Sequence, residues 1–426
     1  MTFLYNIFFL LGWVMVFPFL AIRALRLEHG HTTMLKRLCP YFRIPGFPRR
    51  PIWIHALSVG EVLSAVTLIK AIKACHCDRP IVCSVSTYGG HQIANRALAK
   101  EADFIFFFPY DFLWNIRHLV RRIDPLVLLL VETDIWPNCL YEMARKGVPA
   151  ILVNGRLSPR SYMNYKRISF FMRSVFSNIS FICAQTELDA KRFVAIGAPK
   201  DKVEVTGNLK FDYKLTPLSE EEISALRMSM GIHPRVRVLL AGSTHEGEEK
   251  VLLNAFKVLK KSFSDLVLVV VPRDPARAHS IQQMFGRAGC SAFLKTELEK
   301  MDRPLAPDAI IVDTMGELRQ LYAIADVVFV GKSLVNLGGQ NPLEPAAFKK
   351  PILFGPYMFN FELVAEMLIH HGAAVQVANE KELMEQVKSL LLDAERFDMM
   401  GMRAYEVLGM NRGAVDKTLQ VVEGFL

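Results

Sequence analysis

The stretch LVLLLVETDIWPN (126–138) indicates the fold class of this 426-residue chain. Its opening run, 126–131, is aliphatic throughout, a pattern typical of a strand buried on both faces of a parallel sheet. Two acids, Glu132 and Asp134, follow where that strand ends. Because open α/β sheets bind their ligands beyond the carboxyl ends of the strands, the sequence predicts a site at this edge.

Similar apolar runs recur along the chain, separated by amphipathic segments typical of helices. They are PIWIHAL (51–57), IVCSVS (81–86), FIFFF (104–108), AILVNG (150–155), FICAQ (181–185), VEVTG (203–207), VRVLLAGS (236–243), DLVLVVVP (265–272), AIIVD (309–313), DVVFVG (326–331), PILFG (351–355) and AAVQV (373–377). The pattern lapses over 213–222, which is predicted to connect two domains and then cap a helix at Ser219.

A chain of this length exceeds what a single core usually supports. We therefore predict an α/β protein with two doubly wound, Rossmann-like parallel-sheet domains that face each other, over 23–212 and 213–426. The last helix is a candidate to return to the first domain.

The N-terminus predicts a membrane anchor. Residues 1–22 contain no charged side chain and would form a helix of roughly 33 Å, long enough to cross a bilayer. The next segment, up to residue 50, has one acid, Glu28, and a basic set that should keep the body cytoplasmic: Arg23, Arg26, Lys36, Arg37, Arg43, Arg49 and Arg50. A cleaved signal peptide and a buried helix interrupted at Pro18 are the alternatives.

Composition restricts the class of protein only broadly. A formal charge of +9 suits nucleic acid, an anionic membrane surface or a phosphorylated substrate. The chain has seven cysteines and no CxxC pair, which argues against a disulfide framework and a zinc knuckle and favours a reducing compartment.

Polar residues follow several strands of the first half. Glu61 comes after a strand and a glycine turn, at a predicted helix N-terminus, where a carboxylate can act as a general base; the alternative is an ordinary first-turn glutamate. Glu132 could orient an acceptor hydroxyl or a cation, or belong to a buried helix cap closed by Asp134 and Asn138. Arg156 and Lys210 could neutralise anionic substrate groups, or be solvent-exposed loop charges.

The second half has features of a nucleotide site. The loop 242–247 could bind a phosphate or carboxylate, although it lacks a Walker lysine and GxGxxG, and Glu at 249 excludes HExxH. Arg273, directly after a strand, could pair with a phosphate. The glycine-rich segment 331–345 is the strongest donor-site candidate, with Glu344 placed to accept ribose hydroxyls; a tight turn before a Pro-initiated helix is the alternative.

Five segments together carry a resemblance that covers nearly the whole chain: Ser58 to Glu61, Glu132 to Asn138, Thr206 to Asp212, Gly242 to Gly247 and Asn341 to Pro345. On these segments the chain closely resembles the bacterial Kdo transferases. Those enzymes transfer 3-deoxy-D-manno-octulosonic acid (Kdo) from CMP-Kdo to a lipid A precursor in lipopolysaccharide core biosynthesis.

The resemblance implies a GT-B glycosyltransferase with an inverting mechanism, no cofactor and no metal, anchored to the inner membrane and without a nucleic-acid partner. It implies that Glu61 is the base and that Glu132 and Lys210 support the transition state. The implied contacts to CMP are Pro272, Arg273, Met315, Gly316, Glu317, Asn341, Pro342, Leu343 and Glu344.

The chain departs from the family pattern at three places, which leaves acceptor handling and the number of Kdo residues added open. Lys332 replaces a usual second glycine, Gln340 replaces a usual histidine, and 86–89 reads STYG in place of TPTG. A GT-B transferase or epimerase using a UDP-sugar, and a membrane-tethered scaffold without enzymatic activity, are the competing functions.

Overall fold

The computed structural model describes residues 2–26, 30–38, 44–212, 218–301, 306–410 and 412–426. The predicted connection over 213–222 lies partly outside them, but its helix cap is confirmed. The backbone N–H of Glu222 donates to Ser219, whose own N–H donates to the Glu222 carboxylate. The chain divides into two compact units, Met1–Asp212 together with Asn411–Leu426, and Tyr213–Met410.

The N-terminal unit is built on a seven-stranded parallel sheet of order β3-β2-β1-β4-β5-β6-β7. The strands are β1 (Ile52–Ala56), β2 (Ile81–Val85), β3 (Phe104–Phe107), β4 (Val127–Val131), β5 (Ala150–Gly155), β6 (Phe181–Ala184) and β7 (Val203–Val205). Every residue of β1, β2, β4 and β5 is buried, which confirms the burial predicted from their apolar runs. The winding reverses between β1 and β4, the point where open α/β sheets bind ligands.

Helices cover both faces of this sheet. They are α1 (Thr2–Arg26), α2 (Gly30–Leu38), α3 (Val59–Cys75), α4 (Tyr88–Ala97), α5 (Leu113–Ile123), α6 (Pro137–Arg145), α7 (Pro159–Arg167), α8 (Ser169–Phe176) and α9 (Glu187–Ala195). Successive residues of β1 serve opposite cores, because side chains alternate along a strand. Trp53 packs with α5 and α6, whereas Ile52 and Ile54 pack with α3.

The second unit repeats this plan with a seven-stranded parallel sheet of order β10-β11-β9-β8-β12-β13-β14. Its strands are β8 (Arg237–Thr244), β9 (Leu266–Pro272), β10 (Ala292–Leu294), β11 (Ala309–Ile311), β12 (Val327–Val330), β13 (Ile352–Phe354) and β14 (Ala374–Gln376). Its helices are α10 (Glu220–Ser229), α11 (Glu248–Ser262), α12 (Ala278–Arg287), α13 (Lys295–Leu298), α14 (Leu318–Ile324), α15 (Leu343–Ala346), α16 (Glu362–His370), α17 (Glu380–Leu392) and α18 (Ala394–Met410). The winding reverses between β8 and β12, and the prediction of two parallel-sheet α/β domains is confirmed.

The last helix, α19 (Ala414–Glu423), belongs to the N-terminal unit. The carboxylate of Asp212 accepts the backbone N–H groups of Gly413, at 2.6 Å, and Val415, at the start of this helix. The Thr418 hydroxyl lies 3.2 Å from that of Thr206. These bonds hold α19 beside the segment that carries Lys210.

No helix among the described residues is both long and apolar enough to cross a membrane. The membrane-spanning anchor expected over residues 1–22 is therefore not found.

One face of α1 instead packs on the N-terminal unit. Tyr5 stacks on Phe171, and Trp13 lies edge-on to Tyr110 with ring centroids 4.7 Å apart. The Tyr5 hydroxyl donates to Asp111 at 3.0 Å. A helix with this polar contact has a docked face and an exposed one, and its exposed face consists of large apolar side chains: Leu4, Phe8, Leu11, Val14, Met15 and Phe19.

Candidate functional site

Glu61 lies in the first turn of α3, directly beyond β1. Its side chain is only 9% exposed, and its carboxylate accepts hydrogen bonds from the backbone N–H of Leu57 and, at 3.4 Å, from the Ser58 hydroxyl. The Ser58 side chain makes no capping bond to the helix, so the glutamate closes the turn between strand and helix from inside. The predicted helix-N-terminal position is confirmed, and it places the carboxyl at the reversal point of the sheet.

Glu132 follows the last residue of the neighbouring strand β4. Its φ of 61° lies in the left-handed region, which side-chain-bearing residues rarely adopt. The backbone nonetheless stays tied to the sheet, because its N–H donates to the Val153 carbonyl at 2.9 Å. The Glu132 carboxylate pairs with the Lys210 ammonium at 3.5 Å. The structure therefore brings together two of the residues expected to support the transition state.

Asp134 is held by a buried chain of hydrogen bonds. Its carboxylate lies 2.7 Å from Nε2 of His55, a fully buried β1 residue. Nδ1 of that ring is 2.9 Å from the Ser84 hydroxyl, which in turn accepts the Trp53 indole N–H at 2.8 Å. Nδ1 also lies 3.1 Å from the Ser84 backbone carbonyl, so the two ring nitrogens of His55 join Ser84 to Asp134. Sequence reasoning missed this role of His55, whose signal was a histidine inside an otherwise apolar strand.

Burial and the neighbouring carboxylates together set the pKa of Glu61. Burial is the largest cause of its raised pKa, the Glu132 charge is the next, and Asp134 raises it further, while the bonds from Leu57 and Ser58 act in the opposite direction. The result is a pKa of about 8. A carboxyl with a pKa near the working pH is suited to accept a proton from a hydroxyl, which is the chemistry of a general base.

The start of α6 is capped by a residue that the sequence did not single out. The fully buried carboxylate of Asp111 accepts the backbone N–H groups of Asn138 at 2.8 Å and Cys139 at 3.0 Å. The alternative reading of the 132–138 segment, a cap closed by Asp134 and Asn138, is therefore wrong: Asp134 binds His55 instead. Burial raises the pKa of Asp111 to about 7, and the Tyr5 hydroxyl of α1 completes its shell.

The second unit contains a cavity of 310 Å³ beyond the ends of β8 and β9. Its wall includes Ser243, Val271, Pro272, Arg273, Pro275, Thr314, Met315, Gly316, Leu318, Arg319, Tyr322, Gln340, Asn341 and Glu344. Burial raises the pKa of Glu344, and the nearby Arg319 and Arg273 charges act against that rise. The buried Thr314 hydroxyl has no hydrogen-bond partner among the described residues, so it is available to a ligand.

Three of the residues expected to contact the nucleotide do not line this cavity: Glu317, Pro342 and Leu343. The Glu317 carboxylate pairs with the Lys295 ammonium at 3.0 Å. Leu343 is fully buried in the first turn of α15. The remaining expected residues, Pro272, Arg273, Met315, Gly316, Asn341 and Glu344, do line the cavity.

Backbone amides of the glycine-rich segment are already engaged. The fully buried carboxylate of Glu248 accepts N–H bonds from Lys332 at 2.7 Å, Ser333 at 2.9 Å and Leu334 at 2.9 Å. It also accepts the His245 N–H at 2.9 Å. These four amides, which lie in segments expected to bind a phosphate, therefore bind this glutamate instead.

No group of three or more His, Cys, Asp or Glu side chains suited to a metal occurs in the part of the chain that the structure describes.

The chain is similar to known proteins in both sequence and fold. Residues 31–213 match the family model described as "3-Deoxy-D-manno-octulosonic-acid transferase (kdotransferase)". The 3-deoxy-D-manno-octulosonic acid transferase of Haemophilus influenzae is 32% identical over 89% of this chain and 88% of its own length. That of Rickettsia felis is also 32% identical, over 89% of this chain and 80% of its own. Among solved structures, the UDP-GlcNAc 2-epimerase of Neisseria meningitidis shares the fold, with a TM-score of 0.57, 14% identity and coverage of 88% of this chain and 100% of its own.

Proposed function

Because the chain belongs to the 3-deoxy-D-manno-octulosonic acid transferase family, we propose that it transfers Kdo with inversion from CMP-Kdo to a lipid A precursor in lipopolysaccharide core biosynthesis. It is a glycosyltransferase, and its two parallel-sheet units are consistent with the GT-B class. The observation that carries the proposed chemistry is the buried Glu61 carboxyl, whose pKa of about 8 is raised by burial and by Glu132 and Asp134.

In the proposed reaction, ionised Glu61 takes the proton from an acceptor hydroxyl. The oxygen forms a bond to the anomeric carbon of Kdo as the bond from that carbon to the phosphate oxygen of CMP breaks. The electron pair leaves with CMP, and attack opposite the departing phosphate inverts the anomeric configuration. Lys210, paired with Glu132 at 3.5 Å, supplies positive charge near the reacting groups, and Glu132 orients the acceptor.

The cavity of the second unit is proposed to bind CMP. Its 310 Å³ lies at the small end of the usual range for ligand pockets, which suits one mononucleotide. Arg273 offers a planar set of donors for the phosphate. Asn341 and Glu344 offer polar groups to the ribose and base, with the unpaired Thr314 hydroxyl as a further contact. Glu317, Pro342 and Leu343 would then support the site from outside its wall.

We also propose that α1 lies on the cytoplasmic face of the inner membrane. Its exposed side includes Phe8, 65% exposed, Met15, 74%, and Phe19, 74%. A lipid surface is the occupant proposed for this face, because the proposed acceptor is itself a lipid and the opposite face packs on the protein. Liposome flotation tests this: loss of binding on changing Phe8, Met15 and Phe19 to Ser is expected, and unchanged binding would exclude α1 as the contact.

The competing function, a UDP-sugar transferase or epimerase, draws on fold similarity to a UDP-GlcNAc 2-epimerase. At 14% identity that similarity concerns the fold alone. Purified protein should be incubated with CMP-Kdo or UDP-GlcNAc and a lipid A precursor, and the products resolved by mass. Transfer from CMP-Kdo that is inhibited by CMP and not by UDP is expected, and the product masses give the number of Kdo residues added. Consumption of UDP-GlcNAc alone would overturn the proposal.

A further inference from the structure

Lys332 has a backbone conformation that lysine rarely adopts. Its φ of 63° lies in the left-handed region, where glycine is accommodated without penalty and a side chain is not. The conformation is imposed by the fold, because the Lys332 N–H donates to the buried Glu248 carboxylate at 2.7 Å. A long cationic side chain thus occupies a position where a side chain weakens the turn, which points to a use for that side chain.

The sheet places Lys332 and Arg273 on either side of the same strand. Arg273 follows β9 and Lys332 follows β12 and Gly331, with β8 lying between those two strands. Backbone bonds tie both segments to β8: Arg273 N–H donates to Thr244 at 3.0 Å, and Gly331 N–H donates to Gly242 at 2.8 Å. Two strand spacings amount to about 10 Å, a gap that the two long side chains can close from both sides. The β8/β12 boundary is also the reversal point of this sheet.

Among the described residues, neither the Lys332 ammonium nor the Arg273 guanidinium has a hydrogen bond or ion pair of its side chain. The Arg273 charge does act on the buried Glu344 carboxyl. Burial lowers the pKa of Lys332, and the nearby Arg273 charge lowers it further. Two cations that repel each other in a partly buried place are stabilised when an anion lies between them.

The nucleotide cavity includes Arg273 in its wall but not Lys332. Of the two cations, Arg273 therefore contacts the cavity, and Lys332 lies outside its wall. We propose that Lys332 and Arg273 form an anion site for the sugar nucleotide, in which Lys332 binds an anionic oxygen group that projects beyond the nucleoside pocket. This site rests on the proposed function: in CMP-Kdo the group is either the phosphate or the carboxylate of the transferred sugar.

Lys332→Gly tests the site, because it removes the charge and relieves the left-handed backbone at once. Lys349 provides a matched control: it too has a positive φ, 56°, and its ammonium lies over the Tyr405 ring, away from the cavity. Both glycine variants are expected to melt at the wild-type temperature or above it. Only Lys332→Gly should raise the KM for CMP-Kdo, by about tenfold to a hundredfold, the usual worth of a charged hydrogen bond.

The ligands distinguish the two anionic groups. If Lys332 meets the phosphate, Lys332→Gly weakens CMP binding, measured by calorimetry, and leaves cytidine binding unchanged. If it meets the sugar carboxylate, CMP binds normally and only the KM for CMP-Kdo rises. A normal KM and normal CMP binding in Lys332→Gly would overturn the proposal.

Inorganic phosphate separates this inference from the proposed function. If the wild type fails to use CMP-Kdo, the anion site still requires that phosphate raise the melting temperature of wild type and Lys349→Gly more than that of Lys332→Gly. Equal phosphate stabilisation of all three proteins would refute the site, whichever sugar nucleotide the enzyme uses.

Discussion

Replacing Glu61 by Gln has a consequence for stability that the structure makes quantitative. The pKa of this carboxyl rises from 4.5 to about 8 on folding, with burial as the main cause. A group whose pKa is raised on folding contributes its full stabilisation below the unfolded pKa and loses it as pH rises through the folded one. From 4.5 to about 8, at about 1.4 kcal/mol per pH unit, the loss reaches about 5 kcal/mol.

Gln carries no titrating proton, so Glu61→Gln does not share this loss. The difference in unfolding free energy, variant minus wild type, should grow by about 1.4 kcal/mol per pH unit between 4.5 and 8 and then level off. Urea unfolding at a series of pH values measures it. Glu187→Gln is the control, because Glu187 also lies in the first turn of a helix of this unit but is exposed, and its difference should stay flat.

The same change tests catalysis. Loss of a general base should lower kcat by about 10²- to 10⁴-fold, with the KM for the donor unchanged. Wild-type activity should rise with pH through about 8, because the base must be ionised to accept a proton. A stability difference that does not change with pH would refute the buried, protonated carboxyl. A kcat within a few-fold of wild type would remove Glu61 from the role of base even if that stability difference were present.

Three further changes test the neighbouring structure. Glu132→Gln removes a charge that raises the pKa of Glu61, so the rise of activity should move to lower pH in kcat–pH profiles; an unmoved profile would contradict the coupling. Asp111→Ala leaves two backbone N–H groups of α6 unpaired and should cost about 2 to 4 kcal/mol in urea unfolding, whereas a loss below 1 kcal/mol would show that water replaces the carboxylate. Glu248→Gln weakens the bonds from four backbone N–H groups and should cost about 2 to 4 kcal/mol, while the exposed Glu246→Gln costs nothing measurable; equal stabilities would refute the anchoring role.

The strands could be predicted from the sequence because each is determined by the residues of its own short segment. An aliphatic run such as 126–131 has no polar face, so a sheet covered on both sides is the structure that satisfies it. The position of Glu61 was predictable for a similar reason, since a strand, a glycine and a helix pattern follow one another in the chain. The raised pKa of Glu61 could not be predicted from the local sequence. It depends on burial in the folded unit and on the charges of Glu132 and Asp134, more than 70 positions away.

The role of Asp111 could not be predicted from the sequence either, because its partners are distant in the chain. Its partners are Asn138, 27 positions later, and Tyr5, 106 positions earlier. The phenol lies in a stretch so apolar that it predicts a membrane span. Composition alone could not show that one face of that helix carries a hydroxyl and aromatic rings that contact the protein, because their partners lie about 100 positions or more away in the chain.

The two units share one backbone feature at equivalent places in their sheets. In each, the strand across the reversal point is followed within two residues by a charged residue in the left-handed region: Glu132 after β4, with φ of 61°, and Lys332 after β12, with φ of 63°. In each, the backbone N–H of the charged residue donates a hydrogen bond that fixes the turn. The acceptor is the Val153 carbonyl for Glu132 and the Glu248 carboxylate for Lys332. A left-handed residue reverses the chain at once, so its side chain stays at the strand end and is not carried into the following loop. Each of these residues therefore places a charge at the edge where parallel sheets bind ligands, at a conformational cost that a glycine would not carry.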